Sequence, residues 1–592
     1  MYPRMMCSEN SDPSGCKNGA WDHLEHDPQV FDVLIIGAGP CGLAVAARIH
    51  EDAPSAMFTD EEHRRWSWLK NKGNKLAVMQ VKTGRVRPAS ERKNSKSSYK
   101  MAVLDGSGEG WLSRWKTLFS TFGISHLRSP MIWHIDPQHR DALLSHAHFQ
   151  GRDDELVEIK NCVGKEVSKH HKKQKQKKHN HFSGGKQESS IDINQRDQWD
   201  YYTPSQPLFC DHCDSVARRY HLEQSMVHKE TVTDIRYGLV EDCPDDDKIF
   251  TVVTNKRVRY ARAVILAVGP ANSPILPHIP ALSFPGRSAD NVTMPQACHS
   301  MQIPQRGFPD PVVKERIQAG RKTNVLVIGG GLTSAQLSNK AIHKGVDRVY
   351  HLMRGPLIMK HFDVDLGWMG KYKTLHQGYF HQADSEEERL EIIKKARGGG
   401  SIPSAYMKKI QPHISSGKLK MFQKTILTGA HFEQGKDGES DVWRVTTEPP
   451  IDDLPRFDYI YFATGIQTDF KMLPYLQNML KDYPIQGFGG FPCLNEDLMW
   501  QDGVPLFVTG KLAALRIGPA APNIGGARIG AERIALALDE AIARTGKGMF
   551  SKETFFTEKE TVVDERRDSG IDLFNYASGT GSKYCSLGED SA

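Results

Sequence analysis

The sequence lacks the features that mark membrane-spanning and secreted proteins. No window approaches the roughly 20 consecutive apolar residues that a bilayer-spanning helix requires, and residues 1–30 contain no apolar core of a secretory signal. Only 10 cysteines occur among 592 residues, and most stand alone, which is typical of reduced thiols in a reducing compartment. We therefore expect a cytoplasmic protein without a membrane span.

The chain also lacks an excess of one charge outside a single segment. Its formal net charge is +6, and residues 168–190 alone contain seven lysines and one glutamate, which also gives +6. The rest is balanced, so we expect no nucleic-acid partner. Because this basic run has low complexity and no apolar periodicity, it is predicted to be a solvated insertion. It is either a tolerated surface loop or a signal for nuclear import or an anionic partner.

One design occurs twice in the chain. At Phe31 an apolar run passes into a glycine-rich turn and an alanine-rich helix (FDVLIIGAGPCGLAVAARI), and at Asn324 the same order returns as NVLVIGGGLTSAQLSNKAI. A further apolar strand follows each unit, ending as LAVG at Gly269 and FATG at Gly465. A chain of this length needs at least two packed cores, and the repeat indicates two strand–turn–helix domains with buried parallel strands.

The first glycine motif has the context that dinucleotide binding requires, because it follows a strand and opens a helix. Glycines at these positions let the backbone approach a pyrophosphate, whose charge then lies at the helix N-terminus. We expect the next strand to be SAMFTD, ending at Asp60, where a carboxylate would accept hydrogen bonds from ribose hydroxyls. The predicted contacts of this motif are Gly37, Gly39, Pro40, Gly42, Asp60 and Glu61.

The second glycine motif differs at its third position and at the end of its next strand. It consists of Gly329 and Gly331 with Ser334 as the third member, and the strand RVYHLMRG ends at Arg354 rather than at an acid. A 2'-phosphate requires a cation where a free ribose hydroxyl requires an acceptor. We therefore assign FAD to the first motif and NADPH to the second. Arg354 alone could be an ordinary surface charge, and Lys360 is a nearby cation that could assist it.

Together these motifs resemble those of the flavoproteins with two dinucleotide-binding domains. Within them the chain resembles the class B flavin monooxygenases, nearest the N-hydroxylating (ornithine/lysine) branch, and its layout is similar to that of the oxidative-stress-induced growth inhibitor proteins. The resemblance covers about residues 31–544. Met79 and Gln80 resemble the MQ pair beside the flavin of N-hydroxylases, and LRSP at Leu127–Pro130 resembles the LRDP that follows it there. Gln80 could equally be a polar loop residue.

The resemblance implies further cofactor contacts near the ends of later strands. FATG would place Thr464 and Gly465 beneath a bound dinucleotide, and Gly510, at the end of VPLFVTG, is a further predicted cofactor contact. Asn523 and Gly525 precede a helix that would direct its positive end at the flavin pyrimidine. Its apolar residues recur at helical spacing at Ile534, Leu538 and Ile542, so the alternative is a capped amphipathic helix.

We predict an α/β fold of two Rossmann-like dinucleotide-binding domains, with the NADPH domain inserted into the FAD domain. The predicted divisions are a disordered tail at 1–30, the first part of the FAD domain at 31–303, the NADPH domain at 321–465, the completion of the FAD domain at 466–550 and a disordered tail at 551–592.

The resemblance implies a monooxygenase. NADPH would reduce FAD, and a flavin C4a-hydroperoxide would transfer one oxygen atom to a small nucleophilic substrate. Gln80 is the single catalytic candidate, and no metal site is expected. One alternative is an NADPH-dependent flavin reductase or oxidase, and another is an FAD-binding regulatory protein without turnover.

Three observations limit this interpretation. After the FPG that ends at Gly286, no histidine occupies the place required in flavin monooxygenases proper and Baeyer–Villiger enzymes; the nearest pair is His299–Ser300. No residues that clamp an amino-acid substrate are identifiable, so neither ornithine nor lysine is assumed. Cys210 and Cys213 form a CxxC that suggests thiol exchange, but it lies where neither class of flavin disulfide reductase carries its dithiol, and zinc would need further ligands.

Overall fold

The computed structural model describes residues 24–51, 54–72, 77–79, 86–88, 99–160, 162, 198–240, 248–269, 274–277, 295–369, 373–435 and 441–545. The predicted catalytic residue Gln80, the basic insertion at 168–190 and the predicted C-terminal tail at 551–592 lie outside these ranges.

The strands, in chain order, are β1 (Glu25–Ile36), β2 (Ala77–Met79), β3 (Val86–Pro88), β4 (Met101–Leu104), β5 (Leu156–Glu158), β6 (Tyr202–Pro204), β7 (Val227–His228), β8 (Val232–Gly238), β9 (Ile249–Thr254), β10 (Arg257–Leu266), β11 (Ala297–His299), β12 (Asn324–Ile328), β13 (Arg348–Leu352), β14 (Leu419–Phe422), β15 (Ile426–Glu433), β16 (Val442–Glu448), β17 (Tyr459–Phe462), β18 (Gly487–Phe488), β19 (Phe491–Pro492), β20 (Met499–Gln501) and β21 (Val504–Val508).

The α-helices are α1 (Pro40–His50), α2 (Asp60–Lys72), α3 (Ser113–Phe122), α4 (Ala142–Phe149), α5 (Gln206–Arg219), α6 (Ile303–Arg306), α7 (Pro311–Gln318), α8 (Leu332–His343), α9 (Lys373–His381), α10 (Glu386–Arg397), α11 (Ser404–Ser415), α12 (Gln477–Asp482), α13 (Ala514–Ile517) and α14 (Ile524–Thr545). Among the described helices, none combines the length and the apolar composition needed to cross a bilayer.

The first unit is built on an eight-stranded sheet with β1 near its middle. Its order is β20-β21-β10-β1-β4-β7, and β8 and β9 extend it beside β10. The strands from β21 to β7 run parallel, whereas β20 and β9 pair antiparallel to their neighbours. Val33, Leu34 and Ile35 are fully buried, which explains why a continuous apolar run forms this strand: helices cover both faces of a parallel sheet.

The second unit is built on a five-stranded, wholly parallel sheet. Its order is β11-β17-β12-β13-β14. The glycine-motif strand β12 lies between β17 and β13, as β1 lies between β10 and β4. Part of this unit also packs on the core of the first, through Trp368, Phe380 and Ile393.

The predicted fold class and its insertion are confirmed. The first sheet takes β20 and β21 from the chain after β17, so the second sheet lies within the sequence of the first. Two predicted divisions need shifting. β1 begins at Glu25, inside the predicted tail. β11 pairs with β17, although it precedes residue 321, where we expected the second domain to begin. We propose that the chain first passes from the FAD domain to the NADPH domain before Ala297.

The strand predicted for SAMFTD is wrong. Residues 54–59 form neither helix nor strand, and α2 begins at Asp60. The place beside β1 belongs to β4, whose four residues MAVL are all buried. The physical reason is burial on both faces: an uninterrupted apolar run suits this position, whereas Ser55, Thr59 and Asp60 would place polar groups in it.

Candidate functional site

The first glycine turn (residues 37–42) is closed by backbone contacts that admit no side chain at two positions. Gly37 has φ +110°, and its N–H donates to Leu104 O at 2.8 Å. A Cβ atom at Gly37 would lie 2.4 Å from Ala267 O, and one at Gly42 would lie 2.0 Å from Gly37 O. Glycine is therefore required at both positions.

The outer side of the first glycine turn is open. A Cβ atom at Gly39 would meet no atom within 4 Å in the described structure. Helix α1 begins at Pro40 with no side chain capping it and no acid in its first turn. By contrast, Ser205 caps α5, Asp310 caps α7 and Ser385 caps α10. The uncapped N–H groups and the positive helix end fit an anion such as a pyrophosphate.

The second glycine turn (residues 329–334) repeats this geometry. Gly329 N–H donates to Leu352 O at 3.0 Å, and a Cβ atom at Gly329 would lie 2.4 Å from Ala463 O. Helix α8 follows Gly331 with neither a side-chain cap nor a first-turn acid. Ala267 and Ala463 thus occupy equivalent places, in the LAVG and FATG sequences. The two turns therefore have equivalent backbone contacts, one in each sheet.

In the second turn, polar side chains occupy two places that in the first turn belong to Gly42 and Val103. The buried hydroxyl of Ser334 donates to Gly331 O at 2.7 Å. Nε2 of His351, on β13, lies 2.7 Å from Gly329 O and donates to it. Burial lowers the pKa of His351 to about 4, so the imidazole is neutral near pH 7 and supplies an N–H donor. Sequence reasoning missed His351; its signal was a polar residue among the four buried positions of the strand RVYHL, in which Arg348 alone is exposed.

Arg354 and Lys360 have different environments. Arg354 is exposed and lies two residues beyond the end of β13, beside the strand that receives the Gly329 N–H. Lys360 forms an ion pair with Asp365 at 2.8 Å, and its Nζ donates to Arg397 O at 3.1 Å. Lys360 therefore neutralises the C-terminal end of α10, and our expectation that it assists Arg354 is not supported by its contacts.

An acid that sequence reasoning missed lies against the first glycine turn. Asp105 directly follows β4, and its Oδ2 accepts a hydrogen bond from Ala38 N at 2.8 Å. Asp60 is the first residue of α2, Glu61 is exposed and pairs with Arg64 at 3.2 Å, and Met79 ends β2. The ribose roles of Asp60 and Glu61 and the flavin role of Met79 stay predictions.

The FATG turn contacts a loop from the linker between the two sheets. Ile275 N donates to Gly465 O at 3.0 Å, and Thr464 Oγ1 donates to Ile275 O. His299, at the end of β11, pairs in register with Phe462, and burial lowers its pKa to about 4. Thr464 and Gly465 therefore lie at the end of the strand beside the second glycine turn.

The segment before α14 reaches both units. A Cβ atom at Gly510 would lie 3.2 Å from Cys41 Sγ, in the first turn of α1. Asn523 Nδ2 donates to Asp363 Oδ1 at 2.9 Å, which ties the start of α14 to the second unit. A Cβ atom at Gly525 would lie 2.7 Å from the Trp133 ring. Helix α14 begins at Ile524, so Gly525 lies in its first turn rather than before it.

The LRSP segment joins the two units. The guanidinium of Arg128 donates to four carbonyl oxygens of the second unit, including those of Phe362 at 2.8 Å and Ser401 at 3.2 Å, and to Ser401 Oγ at 2.8 Å. Gly400 precedes Ser401, and a Cβ atom there would lie 3.0 Å from backbone atoms of Gly330 and Gly331. Arg128 thus holds the segment that packs on the second glycine turn.

The CxxC pair is poorly suited to thiol exchange. Cys210 and Cys213 lie on α5, and both are buried free thiols. Burial raises the pKa of Cys210 to about 11 and that of Cys213 further above its usual value. Because the thiolate is the reactive form, neither cysteine is activated.

Comparison with known proteins gives structural relatives only. No protein-family model matches the chain, and no curated protein matches its sequence. Among solved structures, it is similar to the L-lysine 6-monooxygenase of Pseudomonas syringae (15% identity, TM-score 0.50, 86% of this chain and 99% of that one). It is also similar to the ornithine N-hydroxylase of Kutzneria sp. 744, solved with reduced FAD, NADP+ and L-ornithine (14%, 0.54, 86% and 99%).

A third similar structure is the FAD-bound cadaverine monooxygenase of the desferrioxamine pathway of Erwinia amylovora, at 14% identity and TM-score 0.51, covering 88% of this chain and 98% of that one. At these identities the likeness is one of fold: the chain has the two-dinucleotide-domain fold of flavin monooxygenases over most of its length.

Proposed function

We propose that this protein is an FAD-containing, NADPH-dependent monooxygenase that acts on a small nucleophilic substrate with oxygen. The observation that carries the proposal is the pair of equivalent, uncapped glycine turns, one in each of two nested sheets. The structures of similar fold support it, since their names describe monooxygenases, one with bound FAD and one with reduced FAD and NADP+.

FAD fits the first unit. The open side of Gly39 and the uncapped end of α1 suit its pyrophosphate, and Gly510 brings the segment after β21 beside that helix. When bound, FAD supplies hydride acceptance and oxygen activation. The positive end of α14 would stabilise negative charge beside Gly525.

NADPH fits the second unit. Its pyrophosphate would lie at the start of α8, whose turn is held by Ser334 and His351. Arg354 is exposed beyond the next strand, where its planar fork can bind a 2'-phosphate. Because Lys360 is bonded to Asp365 and to the Arg397 carbonyl oxygen of α10, nucleotide selectivity depends on Arg354 alone in this proposal.

The remaining proposals concern the relative position of the two cofactors, the catalytic side chain and the cellular compartment. Arg128 holds the two units together, so that both cofactors would keep one relative placement. Gln80 remains our proposed catalytic side chain. We also propose that the protein acts in the cytoplasm, with nuclear entry through the basic insertion.

The test is reduction and reoxidation of the purified full chain. We expect yellow protein with bound FAD, bleaching by NADPH without oxygen, and recovery of colour with oxygen. Recovery in the presence of substrate should leave one oxygen atom in the product. Stoichiometric peroxide with every nucleophile tried would identify an oxidase, and a failure of NADPH to bleach the flavin would remove the enzymatic proposal.

A further inference from the structure

A short helical turn just after β21 carries a single charged residue. It spans Gly510–Ala513, and Gly510, Leu512 and Ala513 are buried. Lys511 is half-buried between these apolar neighbours. A lysine in such a place has lost part of its hydration, which disfavours its charged form unless an acceptor compensates.

This turn packs beside the first glycine turn. Thr509 N donates to Leu266 O at 2.9 Å, so the segment continues along the LAVG strand that contacts the glycine turn. A Cβ atom at Gly510 would lie 3.2 Å from Sγ of Cys41, the second residue of α1. Lys511 is therefore one residue away from a contact with the uncapped start of α1.

The described residues offer Lys511 no anion. Neither a hydrogen bond nor an ion pair of its ammonium is found among them. Burial lowers its pKa, and so does the charge of another cation, Arg397. Arg397 is bonded to Asp363 Oδ2 at 2.9 Å and to Pro519 O at 3.0 Å. Of these two cations in the described structure, Lys511 is thus the one without an acceptor.

Opposite charges flank the first glycine turn. The order of the sheet places β4 on one side of β1, and β10 and β21 on the other. Asp105, after β4, accepts from Ala38 N on its side of the turn, and Lys511 follows β21 on the other. Ribose hydroxyls can donate to a carboxylate, whereas a diphosphate requires donors and positive charge. The Lys511 side therefore suits the diphosphate of a dinucleotide.

We propose that Lys511 donates a charge-assisted hydrogen bond to the diphosphate of FAD in the first unit. The inference rests on the proposed function and adds to it a cation that neither glycine motif contains. A diphosphate at the start of α1 would supply the acceptor that Lys511 lacks. It would also offset the repulsion between Lys511 and Arg397, which belong to different units.

The test measures FAD release when purified, FAD-loaded full-length protein is diluted, followed by the recovery of flavin fluorescence. Lys511→Met keeps an apolar side chain of similar length without the charge. It should raise the FAD dissociation constant by about 10- to 100-fold, the loss expected for a charge-assisted hydrogen bond. Lys511→Arg should keep most of the affinity. Lys481→Met, at an exposed lysine of α12, is the matched control and should release FAD as the unchanged protein does.

Two further measurements separate the charge of Lys511 from its packing. Lys511→Gln is polar and neutral, so it should lose about as much affinity as Lys511→Met, and it replaces that variant if methionine impairs folding. Because salt screens the contact, the difference in FAD affinity between the unchanged protein and either neutral variant should shrink as salt is added. Equal losses in Lys511→Arg and Lys511→Gln, or a difference that salt does not change, would overturn the inference.

NADPH separates the two dinucleotides and the two proposals. If the neutral variants weaken NADPH binding but release FAD normally, Lys511 serves the other cofactor and the inference is overturned. Normal FAD release from the neutral variants, in a protein whose flavin NADPH bleaches, overturns the inference but not the proposed function. FAD release that follows the charge at Lys511, in a protein that NADPH does not bleach, supports the inference and overturns the proposed function.

Discussion

The two glycine turns share their backbone and differ in what closes them. In the first turn Gly42 packs directly on Gly37 O, and the strand alongside presents Val103. In the second, Ser334 stands at the equivalent place, and His351 takes the register position of Val103. Two carbonyl oxygens of the second turn accept side-chain hydrogen bonds, whereas in the first turn a side chain, Asp105, accepts from the Ala38 N–H. The same loop geometry is therefore reached by two solutions that respond differently to substitution and to pH.

The largest expected effect comes from the glycine that both turns share. Gly37→Ala and Gly329→Ala each place a Cβ atom 2.4 Å from a carbonyl oxygen, which should cost at least about 3 kcal/mol of unfolding free energy. Soluble yield and thermal melting measure the loss. Gly355→Ala is the control, since a Cβ atom there meets nothing within 4 Å of the described structure. Normal melting of Gly37→Ala would show that the turn geometry is wrong.

The next effect is confined to the second turn and depends on pH. Burial lowers the pKa of His351 to about 4 from the usual histidine value of about 6.5, so its neutral form is favoured in the folded state. That contribution is complete above pH 6.5 and is lost as the pH falls towards 4, by up to about 3 kcal/mol. His351→Gln keeps an N–H donor but cannot titrate.

Denaturant unfolding at several pH values measures the difference between the two proteins. The unchanged protein should lose more stability than His351→Gln between pH 6.5 and 4. The buried His134 and His212 titrate in both proteins and so cancel in the comparison. Parallel curves would mean that His351 does not hold the Gly329 carbonyl in solution.

A smaller effect concerns the selectivity of the second unit for NADPH over NADH. Arg354→Ala should raise the apparent Michaelis constant for NADPH by about 10- to 100-fold, since a charge-assisted contact contributes about 1.5–3 kcal/mol. The apparent Michaelis constant for NADH should stay nearly unchanged. Arg348→Ala, at the exposed opposite end of β13, is the control. Equal use of NADH and NADPH by the unchanged protein would contradict the assignment.

The glycine turns could be predicted from sequence because their requirements are local. A strand, a glycine turn and a helix N-terminus occupy consecutive residues, and the repeat of this order at Asn324 made a chance match improbable. The insertion of one unit into the other followed from assigning the C-terminal segment, VPLFVTG and the helix after it, to the domain that opens at Phe31. These features depend on short-range sterics, which the sequence displays directly.

The contacts that were missed depend on residues far apart in the chain. Asp105 lies against Ala38 because β4, and not SAMFTD, pairs with β1; spacing from the glycine motif suggested the nearer segment, and burial selects the more apolar one. His351 and Arg128 act through carbonyl oxygens that no local pattern specifies. Gly525 of α14 likewise packs on the Trp133 ring, and only tertiary structure brings these two residues together.

We propose that the two turns hold different cofactors, and a pair of alanine substitutions on their open sides tests this assignment most directly. A Cβ atom at Gly39 meets nothing within 4 Å in the described structure, and one at Gly331 meets only Gly400 Cα, at 3.8 Å. Both variants should therefore fold, with each methyl group directed at the ligand. Their absorbance is followed during anaerobic addition of NADPH and then of dithionite.

We expect Gly39→Ala to be purified without flavin. Gly331→Ala should be yellow, should resist bleaching by NADPH, and should be bleached at once by dithionite. Full flavin occupancy in Gly39→Ala, or normal bleaching of Gly331→Ala by NADPH, would contradict the assignment of the two cofactors to the two turns.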